Sequence, residues 1–185
     1  MSATTGLTVP GVTDRHVYAQ THPALRGKDV PMVFQTYAEV EFLKAEAAIR
    51  GWISSSAEEH YNKGVTAAMK MLKQLYPGTT AITDAEISAY LAGPGAYDAS
   101  KGWEMAMNEY WKATFLNEYE AYANWRRTGY PTLTPTGHPN SVSNNQIFRR
   151  MIYPGGESAT NGDNYAAAVA RQGADDFTTR MWWDK

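Results

Sequence analysis

Two carboxylate pairs are the residues best suited to chemistry in this chain: Glu118 with Glu120, and Asp175 with Asp176. Glycoside hydrolysis needs two carboxyl groups about 5–10 Å apart across a cleft. Residues two apart on a helix point to different sides, so Glu118 and Glu120 cannot both face one cleft. Ion pairing with Arg126 or Arg127 is the simpler role for them. The histidines His16, His22, His60 and His138 include no pair at i, i+3 or i, i+4, and no His-Glu-x-x-His occurs, so no metal site is expected. Gly93-Pro94-Gly95 lacks the third glycine of a dinucleotide loop and reads as a turn. The chain contains no cysteine, which removes thiol nucleophiles, thiolate metal sites and disulfides. The residues point to no catalytic group and no cofactor.

The aromatic residues offer binding chemistry instead. Six Trp and 12 Tyr stand beside only 5 Phe. Trp and Tyr combine an apolar ring with a polar tip, which suits wet binding faces and stacking on sugar rings. Tyr97 and Trp103 flank a Gly/Pro-rich turn, where a ring face can stay open; the plainer alternative packs both against the helix that follows. A net charge of −2 and a pI near 6.1 give no electrostatic footprint for nucleic acid or an anionic membrane surface. No apolar run approaches the roughly 20 residues of a membrane span. Met1 to Pro10 lacks the basic and apolar regions of a signal peptide.

The elements that must position these residues are helical. Residues 1–35 read as an irregular extended arm, broken by Gly6, Pro10, Gly11, Pro23, Gly27 and Pro31. A first helix spans about Thr36 to Arg50, with Tyr37, Val40, Leu43 and Ala47 as its apolar stripe and Gly51 as its stop. A second follows a capping box at Ser56 and Glu59, carries Tyr61, Val65, Ala68, Met69, Leu72 and Leu75, and ends at Pro77-Gly78. A short third begins at a box of Thr83 and Glu86. A long helix is expected from Lys101 to Arg127, with Trp125 on its apolar face, closed by Gly129 and Pro131. Residues 132–145 read as a loop, 146–160 as short extended pieces, and Asn161–Arg171 as a last helix. The apolar end Met181-Trp182-Trp183 implies a docked tail.

Ala45, Ala57, Tyr61 and Gly64 fall where a tetratricopeptide-like helix pair wants small, small, aromatic and small residues. One pair cannot bury its outer face alone. Phe42 and Ile49 lie off the chosen stripe, which predicts a bare apolar patch there, covered by self-association, by the arm, or by further units preceding Met1.

The segment Glu118-Tyr-Glu-Ala-Tyr-Ala-Asn-Trp-Arg-Arg-Thr-Gly-Tyr-Pro131 resembles the most recognisable stretch of the SusD/RagB family. Tyr37-Ala-Glu-Val-Glu-Phe-Leu-Lys-Ala-Glu-Ala-Ala48 is similar to its last tetratricopeptide-like helix. Arg149-Arg150-Met-Ile-Tyr153-Pro154-Gly-Gly-Glu157, then Asn161, Asn164-Tyr165 and Trp182-Trp183-Asp184-Lys185, match in order. The resemblance covers about residues 28–185 and fits the branch of starch-binding-associated outer-membrane proteins. It implies a mainly α, SusD-like fold: a helix pair over 36–76 and a loop-rich remainder over 77–185, together the C-terminal part of a protein about twice this length or more. It implies a non-catalytic glycan-binding subunit, anchored by an upstream lipid at the cell surface, working with a SusC-like TonB-dependent transporter. The partners it implies are that transporter, a glycan and the missing N-terminal half. The alternative is a tetratricopeptide-like protein–protein scaffold without a glycan ligand. Trp125, Arg126, Arg127, Thr128, Gly129, Tyr130, Pro131, Arg150, Tyr153, Pro154, Glu157, Trp182 and Trp183 are expected to act as a fold signature, while Tyr97 and Trp103 are the ligand-facing candidates.

Overall fold

The computed structural model describes residues 21–135 and 137–184. Its regular elements are all helical, as the mainly α reading expects: α1 (Tyr37–Ile49), α2 (Ala57–Leu75), α3 (Asp84–Leu91), α4 (Gly102–Ala113), α5 (Glu118–Thr128), α6 (Glu157–Thr160) and α7 (Gly162–Gln172). Single 3-10 turns stand at Pro23–Leu25 and Ala99–Lys101. Most of the expected arm lies outside the described residues. From Thr21 onward it meets the body where Pro31 accepts a hydrogen bond from the Tyr76 hydroxyl and Phe34 accepts one from Asn117.

The core is built by three helices. α1 and α2 form an antiparallel pair and α4 packs against both. Ala38, Phe42 and Ala45 come from α1, Tyr61 and Val65 from α2, and Ala106, Met107, Tyr110 and Ala113 from α4. Each set follows the three-to-four residue spacing of one helix face. The small residues read from the sequence do what that pattern requires. A side chain at Gly64 would place its Cβ 2.7 Å from the Phe42 ring, so the bare backbone makes the slot that Phe42 fills. Tyr61 meets the same ring edge-on at 6.3 Å.

This corrects the reading of α1. Phe42 is 0% exposed, whereas Tyr37 and Leu43 of the chosen stripe are 61% and 40% exposed. The expected patch at Phe42 and Ile49 is therefore absent: Phe42 is core, and Ile49 packs against the core. The physical reason is that the buried face of α1 carries glutamates. Glu39, Glu41 and Glu46 are all buried, and a search for apolar spacing discounts them. Each has partners. Glu39 completes a capping box with Thr36; Glu46 pairs with Arg50 and Arg127.

Glu41 has consequences for acid stability. Its Oε2 lies 2.6 Å from His60 Nδ1 and its Oε1 2.9 Å from Lys44 Nζ. Burial pushes this carboxyl up, but hydrogen bonds from His60, Lys44 and Tyr37 outweigh burial and hold it at about 2, below the ordinary 4.5. A depressed carboxylate contributes stability that is present above its unfolded value and is lost as pH falls through its folded one. The Glu41 contribution is thus complete above about pH 4.5 and drains toward pH 2, at up to about 1.4 kcal/mol per pH unit. Urea midpoints measured between pH 5 and pH 2 should fall less steeply for Glu41→Gln than for the parent. Parallel slopes would remove Glu41 as the cause.

The expected long helix is two. α4 ends at Ala113 and α5 begins at Glu118. Between them the Thr114 hydroxyl donates to Tyr110 and Trp111 carbonyls, while the Asn117 side chain accepts from the Glu120 N–H and caps α5. Thr and Asn favour such local bonds over helix continuation. Glu118 and Glu120 therefore open a helix, where negative charge suits the amide end. The second helix starts with half a capping box: Ser56 accepts from the Glu59 N–H, but the Glu59 carboxylate pairs with Lys63 at 2.6 Å. The box at Thr83 and Glu86 is complete. Within residues 146–160 the regular element is the one-turn α6, preceded by irregular backbone that forms no strand.

Candidate functional site

Tyr97 and Trp103 lie on either side of the 3-10 turn Ala99–Lys101, which Asp98 caps by accepting from the Ser100 N–H. Both are half-buried and pack against the core cluster. The Tyr97 ring sits 5.3 Å from Tyr61. Its hydroxyl lies against α4, where a Cβ on Gly102 would come within 2.2 Å. Burial, then the nearby Glu58 and Asp98, raise the Tyr97 phenol above its usual range.

Trp103 leads outward to residues that the sequence reading missed. The Arg50 guanidinium carbon lies 4.6 Å from the Trp103 ring centroid and 5.1 Å from that of Trp52. Gly51, with φ of +72°, turns the chain so that Trp52 follows directly; the Trp52 N–H bonds the Ala47 carbonyl at 2.8 Å. The result is a cation held between two indoles, with Trp52 69% exposed. A tryptophan just past a helix-stopping glycine was the available signal. Chemically, the arrangement offers a broad apolar face beside planar guanidinium donors, the combination that takes up hydroxylated rings.

The Trp125–Pro131 motif builds a joint. Trp125 is buried, stacked on Tyr122 at 6.3 Å and covered by the Arg149 guanidinium at 4.1 Å. Arg127 makes a two-pronged pair with Glu46, 2.6 and 2.8 Å, and also bonds Asn124. Arg126 lies between the Tyr122 and Trp183 rings, 4.0 and 4.5 Å from their centroids, and donates to the Arg149 carbonyl. Neither arginine pairs with Glu118 or Glu120, as the sequence had suggested. Thr128 bonds back to Asn124, Gly129 closes α5 at φ +80°, and the Tyr130–Pro131 peptide is cis.

These observations agree with what the comparisons find. A family model for SusD-like proteins, described as starch-binding and associating with the outer membrane, matches residues 4–154. The chain belongs to the SusD-like family. A solved chitin-binding protein is 38% identical, with a TM-score of 0.78, over 88% of this chain and 36% of its own. A Bacteroidetes SusD-like protein is 35% identical, with a TM-score of 0.81, over 89% and 32%. A chitin-binding SusD homolog from Flavobacterium johnsoniae is 27% identical, with a TM-score of 0.62, over 80% and 36%. No curated protein matches. This SusD-like chain thus spans about a third of the length of the solved proteins that it resembles.

The remaining candidates of this SusD-like chain are engaged structurally. Asp175 accepts from Arg150, the Tyr153 N–H and the Tyr165 hydroxyl, and Asp176 from Thr178 and Thr179. Glu120 accepts from the Tyr110 hydroxyl. Pro154 and Glu157 form the turn into α6, where Glu157 bonds Asn161. The tail is docked through Asp184, which is buried against Arg149 and Arg180, and through Trp183; Trp182 points away. Among the described residues no group of three or more His, Asp or Glu side chains is placed to hold a metal, and no helix is long and apolar enough to cross a membrane.

Proposed function

We propose that this SusD-like chain is the C-terminal part of a non-catalytic glycan-binding subunit, lipid-anchored at the outer-membrane surface and working with a TonB-dependent transporter in nutrient uptake. The observation that carries the reading is the exposed Trp52 face, held by Arg50 and Trp103, on a fold shared with chitin-binding proteins. Trp103 is the inner member of this platform and Trp52 its outer, ring-stacking face, while Tyr97 packs on Tyr61 and the core on the other side of the Ala99–Lys101 turn. Apolar grooves lined by Phe34, Tyr37 and Met71, and by Phe115, Tyr122 and Leu133, suit the packing of the rest of a protein of the relatives' length.

Affinity electrophoresis tests this directly. The chain should be retarded in gels containing soluble chitin or starch and should release no reducing ends in a parallel assay, and Trp52→Ala should abolish the retardation. Unretarded migration through a panel of neutral and acidic glycans would favour the scaffold reading, to which the same grooves lend themselves.

A further inference from the structure

A further hollow lies toward the other end of the chain, mostly beyond the residues that the family model matches. Its volume is about 360 Å³, and Tyr153, Ala168, Arg171, Gln172, Arg180 and Trp182 line it. That size falls within the roughly 300–1,000 Å³ of small-molecule sites.

Its walls are held by a network of long-range bonds. Asp175 ties Arg150, the Tyr153 backbone and the Tyr165 hydroxyl together. The Arg149 N–H bonds the Phe177 carbonyl at 2.6 Å. The Tyr153 and Tyr165 rings meet edge-on at 5.8 Å. The hollow is thus formed by packed segments on both sides.

Its charge is unbalanced. Arg171 makes no ion pair among the described residues, and Arg180 reaches Asp184 only at 3.3 Å, an acid it shares with Arg149. Behind Tyr153, the buried Arg150 lies 4.8 Å from the ring and leaves Nη1 without a hydrogen-bond partner. Asp175, the nearest acid in this network, is already taken up by its three donors. Trp182 is 82% exposed, although a docked tail could have buried it as it buries Asp184.

We infer that this hollow binds a carboxylate-bearing sugar unit, a hexuronate of an acidic glycan. Guanidinium groups take a carboxylate in a fixed two-pronged geometry. The indole supplies a stacking face for the pyranose ring, and Gln172 supplies an amide for ring hydroxyls. The inference rests on the glycan reading above and adds the ligand's charge and a second location.

Titration calorimetry of the 185-residue chain with trigalacturonate and with chitotriose separates the two. Trigalacturonate should bind, and more weakly as salt rises, since the contact is between opposite charges. Arg171→Gln and Trp182→Ala should each weaken it about tenfold or more. Both altered residues are exposed, and an unchanged melting temperature confirms an intact fold. Undetectable trigalacturonate binding, alongside chitotriose binding that Trp52→Ala removes, overturns this inference and leaves the glycan reading standing. Trigalacturonate binding indifferent to Arg171→Gln and Trp182→Ala also overturns it. Binding of neither sugar overturns this inference and leaves the glycan reading to be decided by the electrophoresis panel.

Discussion

Trp125→Ala should lower stability by about 3–5 kcal/mol, the range for truncating a large aromatic in a packed interior. The indole is buried in α5 and touches two further layers, Tyr122 beside it and the Arg149 guanidinium over it. Arg149 also reaches Asp184 in the tail. Truncation therefore opens a cavity and loosens the seat of the last residues together. Urea unfolding followed by far-ultraviolet dichroism measures the loss. Trp125→Phe should recover part of it, because a smaller ring still underlies Arg149. A midpoint unchanged in the alanine variant would mean that the ring carries no packing energy, and would make Trp125 available to a ligand.

Arg127→Leu should cost about 3 kcal/mol. Removing one partner of a buried pair strands the other, at a cost of about 3–5 kcal/mol. Here only Glu46 is buried, with its side chain 5% exposed, while that of Arg127 is 35% exposed and partly screened by solvent. Arg50 stays 2.8 Å away, which places the cost at the lower end. The double variant Glu46→Leu/Arg127→Leu should be less damaged than Arg127→Leu alone, since an apolar pair leaves no stranded charge. Additive losses in that cycle would show that the two side chains act independently, contrary to their geometry.

Much of the fold was legible because its signals are local. The Thr83 box, the Gly129 cap and the Gly64 slot are each set by residues within a few positions or by one missing side chain. The face of α1 was misread because its buried carboxylates look polar in any periodic count, and their partners lie elsewhere: His60 is 19 residues from Glu41, and Arg127 is 81 from Glu46. The break between α4 and α5 hinges on Thr114 and Asn117, single residues within an otherwise helical pattern. Tyr97 and Trp103 were legible as aromatics beside a turn. The cation between Trp103 and Trp52 was not, because it depends on the end of α1 meeting the start of α4.

Glu46 Oε1 receives both Arg50, at 2.8 Å, and Arg127, at 2.6 Å. One carboxylate is thus counter-ion to the guanidinium under Trp52 and to the guanidinium that locks α5. Any load that draws Arg50 outward leaves Glu46 to Arg127 alone. The exposed Trp52 face and the α5 joint thus share one carboxylate, so a pull on the rim is felt at α5 through the Glu46 side chain.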